Sequence, residues 1–146
     1  MKKFLIVIVS LMLLSCTPVI VKYKPVLENL TNEGDFYFLE VEKNKIGYYP
    51  RLWVQPKAGL ECEIKLNGID IISIEKLIVK NNQNEKIVEI RQDSLVKLYN
   101  EKKGIIHFHQ VEKGKLVKKN KLKELDNIIL NLYLKDTLIS TGFTVN

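Results

Sequence analysis

Along most of this chain, apolar residues return at every second position, the period of a strand with one buried face. Leu60–Leu66 shows it most cleanly: Leu60, Cys62, Ile64 and Leu66 share one face while Glu61, Glu63 and Lys65 take the other. Asp35–Glu42 puts Tyr37, Leu39 and Val41 on one side and Phe36 and Phe38 on the other, a strand covered on both faces. Leu52–Gln55 is short and bracketed by Pro50 and Pro56, which suits an edge or a bend. Asn67-Gly68 offers hairpin turn chemistry between Leu60–Leu66 and a strand over Ile69–Ile72. Glu75–Lys80 and Lys86–Arg91 are joined by the polar turn Asn81–Asn84 and read as a second hairpin. Ile105–Val111 reads as a strand, as do Asn127–Lys135 and Thr137–Val145, which turn at Lys135-Asp136. Val19, Val21 and Tyr23 alternate as a short first strand would.

Two stretches carry a competing period. In Asp93–Lys103, Val96 and Leu98 fit a strand, while a cap at Asp93, Leu95, Leu98 and Tyr99 at helical spacing, and Gly104 after two lysines fit a short helix. Leu122, Leu125, Ile129 and Leu132 also fall at helical spacing, against a strand starting at Asn127. With eight or nine short strands and no alternation of strand and helix, the pattern predicts an all-β fold. The expected form is an antiparallel β-sandwich, immunoglobulin-like or transthyretin-like, with at most one short helix.

The N-terminus departs from this rhythm. Lys2 and Lys3 precede an apolar run, Phe4 to Leu14, about half the length that crosses a bilayer, followed by Ser15 and Cys16. Leu13-Leu14-Ser15-Cys16 resembles the lipobox of bacterial lipoproteins, with Leu14 a mild departure from the commonest residue there. The resemblance covers residues 1–16 alone. It implies a signal peptide over 1–15, cut before Cys16, and a diacylglyceryl group on the Cys16 sulfur. It also implies a cell-envelope location, on the outer membrane where the envelope has two membranes, facing the periplasm or the surface. Residues 16–34 then form a short tether that can include the first strand, and 35–146 form one domain.

Charge and cysteine content narrow the partners. The chain carries +6, and losing Lys2 and Lys3 leaves +4, a modest excess that suits anionic lipid or glycan and gives no argument for nucleic acid. Of two cysteines, Cys16 is assigned to lipid, so Cys62 has no disulfide partner and acts as a small core residue. No cofactor motif is present. His107 and His109 would share a strand face and are weak metal candidates, since zinc needs three or four ligands. No serine sits in a nucleophile motif and the glycines are scattered, so the chain reads as a non-enzyme. Tyr48, Tyr49 and Trp53 are close enough to form an aromatic contact for a sugar or a protein.

The leading expectation is a lipid-anchored, non-catalytic binding or adaptor subunit of an envelope assembly. The alternatives are a glycan or small-ligand binding module and, third because it lacks disulfides, an inhibitor or immunity lipoprotein. Lys113, Lys115, Lys118, Lys119, Lys121 and Lys123 form a basic run fit for phospholipid headgroups or an acidic partner. Reversing Lys118, Lys119 and Lys121 to Glu should weaken vesicle or partner association at low salt. Sedimentation with anionic vesicles measures this, and unchanged binding after the triple reversal refutes a role for the run.

Overall fold

The computed structural model describes residues 19–55, 59–111 and 125–145; Cys16 and the lysine run over 113–123 lie outside them. The described chain is built of antiparallel strands with one short helix. The strands are β1 (Val19–Pro25), β2 (Thr31–Glu33), β3 (Phe36–Val41), β4 (Asn44–Gln55), β5 (Gly59–Asn67), β6 (Ile74–Asn81) and β7 (Lys86–Arg91). Helix α1 (Gln92–Leu98) then leads to β8 (Tyr99–Asn100), β9 (Ile105–Val111), β10 (Asn127–Leu134) and β11 (Leu138–Val145).

These eleven strands form one continuous sheet in the order β7-β6-β10-β11-β1-β4-β5-β9-β8, with β3 beside the first half of β4 and β2 outside β3. The sheet curls into a half-barrel rather than splitting into the two layers expected of a sandwich. Its hinge is β1: Val19–Lys22 pair with β4 and Tyr23–Pro25 pair with β11. A strand expected within the tether is therefore a central element. The Tyr23 hydroxyl donates to the Leu125 carbonyl at 2.6 Å and fastens β1 to the approach to β10.

Both halves send their inward row to one core. Ile46, Tyr48 and Leu52 of β4 and Leu60, Cys62 and Ile64 of β5 face Leu77 and Val79 of β6 and Leu130 and Leu132 of β10. Leu95 closes this core from α1, fully buried, so the helical reading of Asp93–Lys103 holds for its first half. The β6–β7 and β10–β11 hairpins form as their turn residues predict. Asn81 Oδ1 accepts from the amides of Gln83 and Glu85 and Asn84 takes a positive φ, the local bonds that make such residues good turn formers.

Two expectations fail for identifiable reasons. Asn67-Gly68 does not turn a hairpin; the chain passes through a 3-10 turn at Ile71–Ser73, capped by Asp70, and crosses to β6 in the other half of the sheet. Gly68 supplies a left-handed φ of 83° where a Cβ would strike the Asn44 side chain. β4 runs through Pro50 and is 12 residues long, because the missing amide falls where the strand has no neighbour on that side. β3 covers β4 as far as Tyr48 and β1 begins at Arg51, so Pro50 bonds only toward β5.

Gly47 lies opposite Phe38, whose ring covers it on the outer face; an added Cβ would lie 2.7 Å from the ring. Gly47→Ala should cost about 1–3 kcal/mol by overpacking. Urea unfolding checks this, and the cost should shrink in a Phe38→Leu background. Equal tolerance in both backgrounds would exclude this ring contact as the reason for glycine.

Candidate binding groove and its aromatic–ionic wall

Strand alternation divides the aromatic candidates. Even-numbered residues of β4 point inward, so Tyr48 is fully buried in the core and is removed from the surface set. Its hydroxyl is buried, as is Thr141 Oγ1, and burial pushes the Tyr48 phenol well above its ordinary range. Tyr49 and Trp53 point outward beside Arg51, half-buried on the outer face. The register then sets two cross-strand rows: Tyr49, Glu63 and His107, and next to it Arg51, Glu61 and His109.

Within these rows Glu61 is the hub. Its carboxylate accepts from Trp53 Nε1 at 2.6 Å, pairs with His107 Nε2 at 2.8 Å and meets Arg51 Nη2 at 3.2 Å. Arg51 also reaches Glu63 at 3.7 Å and lays its guanidinium on the Tyr49 ring, 4.2 Å from the centroid. Trp53 tilts against His109 with ring centroids 6.1 Å apart. Burial alone would raise the Glu61 pKa, but the bonds from His107 and Trp53 and the charge of Arg51 outweigh it and hold the carboxyl below its usual range.

His107 and His109 share the outer face, as their spacing predicts, yet His107 is engaged with Glu61. Among the described residues no group of three or more His, Cys, Asp or Glu side chains is placed to hold a metal ion. Cys62 is fully buried and its thiol is pushed far above its ordinary range, chiefly by burial, so it packs as an inert hydrophobe. The lysine candidates and Cys16 fall outside the described residues.

The same two histidines form one wall of an open groove of about 830 Å3. Glu89, Ile90 and Arg91 of β7 form the opposite wall, and Asp93, Ser94 and Leu98 of α1 lie between. Lys86 beside Glu89 holds that carboxyl below its usual range, and Arg91 also reaches it. Ile90 and Phe108 point toward the core while Glu89, Arg91, His107 and His109 keep polar tips outside. The groove therefore has apolar and polar lining residues side by side, and within it Arg91 reaches Glu89 while His107 is tied to Glu61 outside it. That arrangement suits binding. Neither Arg51 nor Glu61 carries a local signal in the sequence that singles it out. Extending β4 past Pro50 and pairing it with β5 would have brought Arg51 and Glu61 together.

No protein-family model matches the chain, and no curated protein or solved structure shows significant similarity to it.

Trp53 is the sole tryptophan, so its fluorescence reports on Glu61 directly. A carboxyl with a depressed folded pKa stabilises the fold above its unfolded value, near 4.5, and that stabilisation is lost as pH falls through the lower folded value. Trp53 emission should accordingly change with a midpoint below 4.5, and Glu61→Gln should abolish the transition. The variant should also be less stable than the parent at pH 7, by on the order of 1 kcal/mol. A transition that survives in Glu61→Gln would assign it to another group.

Proposed function

We propose that this chain is a lipid-anchored cell-envelope protein, held through Cys16, that works as a non-catalytic binding or adaptor subunit of an envelope assembly. The observation that carries this reading is the groove itself. Two strands, β7 and β9, line it with edges that no other strand covers along the groove among the described residues. Open edges of this kind are places where another chain can add.

The sequence and register also support an orientation. Only Thr17 and Pro18 separate Cys16 from β1. Val19 pairs with Gln55 at the end of β4, and Gly59 at the start of β5 pairs with Val111 at the end of β9. The lipid attachment and the lysine run, which begins two residues after Val111, thus join the same end of the sheet. One acyl signal plus a basic patch is a recognised way to hold a domain on a bilayer. Among the described residues no helix is long and apolar enough to cross a membrane.

Glycan binding ranks second. Its aromatic set is reduced to Tyr49 and Trp53, and Tyr49 is partly covered by Arg51. An inhibitor or immunity lipoprotein stays third.

Tagged full-length protein should fractionate with membranes and incorporate labelled palmitate in a bacterial host, and Cys16→Ser should release it and lose the label. Mild cross-linking of the lipidated form should then recover one envelope protein in near-stoichiometric amount. A wild-type protein that is unlabelled and free of the membrane refutes the anchor. An intact, membrane-bound bait with no protein partner shifts the function to the glycan reading.

A further inference from the structure

The outer face of the sheet changes character close to the lipid attachment. Ile20 of β1 pairs with Trp53 of β4, which pairs with Gly59 of β5, which in turn pairs with Val111 of β9. Cross-strand partners share a face, so Ile20 and Trp53 stand side by side on the outside of the sheet. Ile20 is 44% exposed and Trp53 is half-buried. The next outward row holds Lys22, Arg51, Glu61 and His109. An apolar pair thus gives way to an ionic row within two residue steps, about 7 Å.

The length of the tether decides what lies against the apolar pair. Cys16 is four residue steps from Ile20, a reach of at most about 14 Å. A lipid on Cys16 would keep Ile20 and Trp53 within that distance of the bilayer surface, whatever path Thr17 and Pro18 take. Val26 and Leu27 are also exposed, but they follow the far end of β1, roughly 20 Å of strand beyond Ile20. The headgroup layer is roughly 5–8 Å thick on each side of a bilayer, close to the step from the apolar pair to the ionic row. Trp53 has the amphipathic form that suits this depth. Its Nε1–H donates to Glu61 at 2.6 Å, one row farther from the anchor, so the polar edge of the indole is turned away from the lipid end. The pair is also too small for a protein partner, which needs roughly 800 Å2 a side. A fluid interface requires no such area and no shaped complement.

We propose that Ile20 and Trp53 form the membrane-contact edge of this protein, seated in the interface of the bilayer that holds the Cys16 lipid, with the Glu61 row at the outer margin of the headgroups. This deepens the lipid-anchored reading and rests on it. It fixes which face of the sheet meets lipid, which an anchor alone leaves open.

Trp53 is the sole tryptophan, so its emission reads the contact directly. The test places lipidated protein in vesicles of phosphatidylcholine and phosphatidylglycerol whose acyl chains carry bromine near the headgroup. The Cys16→Ser protein in solution supplies the free state. Against vesicles without bromine, Trp53 emission should fall by about twofold or more, as an indole in the interface requires. Ile20→Thr keeps the β-branched shape that a strand favours and should cut this quenching by about half, through loss of the apolar neighbour. Acrylamide in the water should quench Trp53 in the free protein and lose most of that effect in the vesicles. Protein that floats with the vesicles while bromine leaves Trp53 unquenched would overturn the proposal and leave the anchor standing. Trp53 shielded from acrylamide in the free protein would mean that the chain already covers the pair, and would also overturn it. Bromine quenching unchanged in Ile20→Thr would remove Ile20 from the contact and sink the proposed edge. Lipidated protein that does not float would bring down the anchor and the edge together.

Discussion

Strand β1 divides its backbone hydrogen bonds between two neighbours in succession, and the architecture follows from that division. Val19–Lys22 continue the half of the sheet that contains β4 and β5, and Tyr23–Pro25 continue the half that contains β10 and β11. A strand shared in this way must bend the sheet, and strand twist carries both inner faces onto one core. Phe143 of β11 then tilts against Tyr48 of β4, and Leu130 and Leu132 share the core with Cys62 and Ile64. With no disulfide within the described chain, this shared core holds the two halves together. The same curl sets the outer limit of the fold. The eight strands from β7 to β9 bring those two to one groove without pairing them.

How much of this could be read from the chain depends on whether a signal is local. β9 and the start of β10 match the residue ranges that period-two alternation predicts, because each has a buried face and a solvated one. The Asn81–Asn84 turn was legible for the same reason: its bonds are made within five residues. Asn67-Gly68 carries an equally strong local signal and was misleading. There the positive φ of Gly68 serves a crossing between halves of the sheet, which depends on distant residues such as Asn44. Pro50 misled in the opposite direction. A proline ends a strand that is covered on both sides, but β4 changes neighbours at that point, and nothing local records where β3 stops and β1 starts. β2 and β8, of three and two residues, are too short to show any period.

The candidate site was half legible for the same physical reason. Face sharing by His107 and His109, and by Tyr49 and Trp53, follows from spacing within one strand. The burial of Tyr48 follows from it too, once β4 is known to be continuous. What joins these residues is register between β4, β5 and β9, and register is a long-range property. Glu61 sits diagonally from Trp53 and from His107, so a single carboxylate satisfies two strands.

Anchor, charge and groove belong to one spatial argument. β1 enters the sheet at the end where β9 leaves it, so a lipid on Cys16 and the lysine run after Val111 would hold that end against the bilayer. From Val111 to His107 is four residue steps of strand, about 13 Å of rise. A protein held in this way would carry His109 and His107 about 7 Å and 13 Å from that end of the sheet. On that proposal a short tether would limit the height and direction of the groove, where a long flexible spacer would leave both free and raise the entropic cost of every encounter.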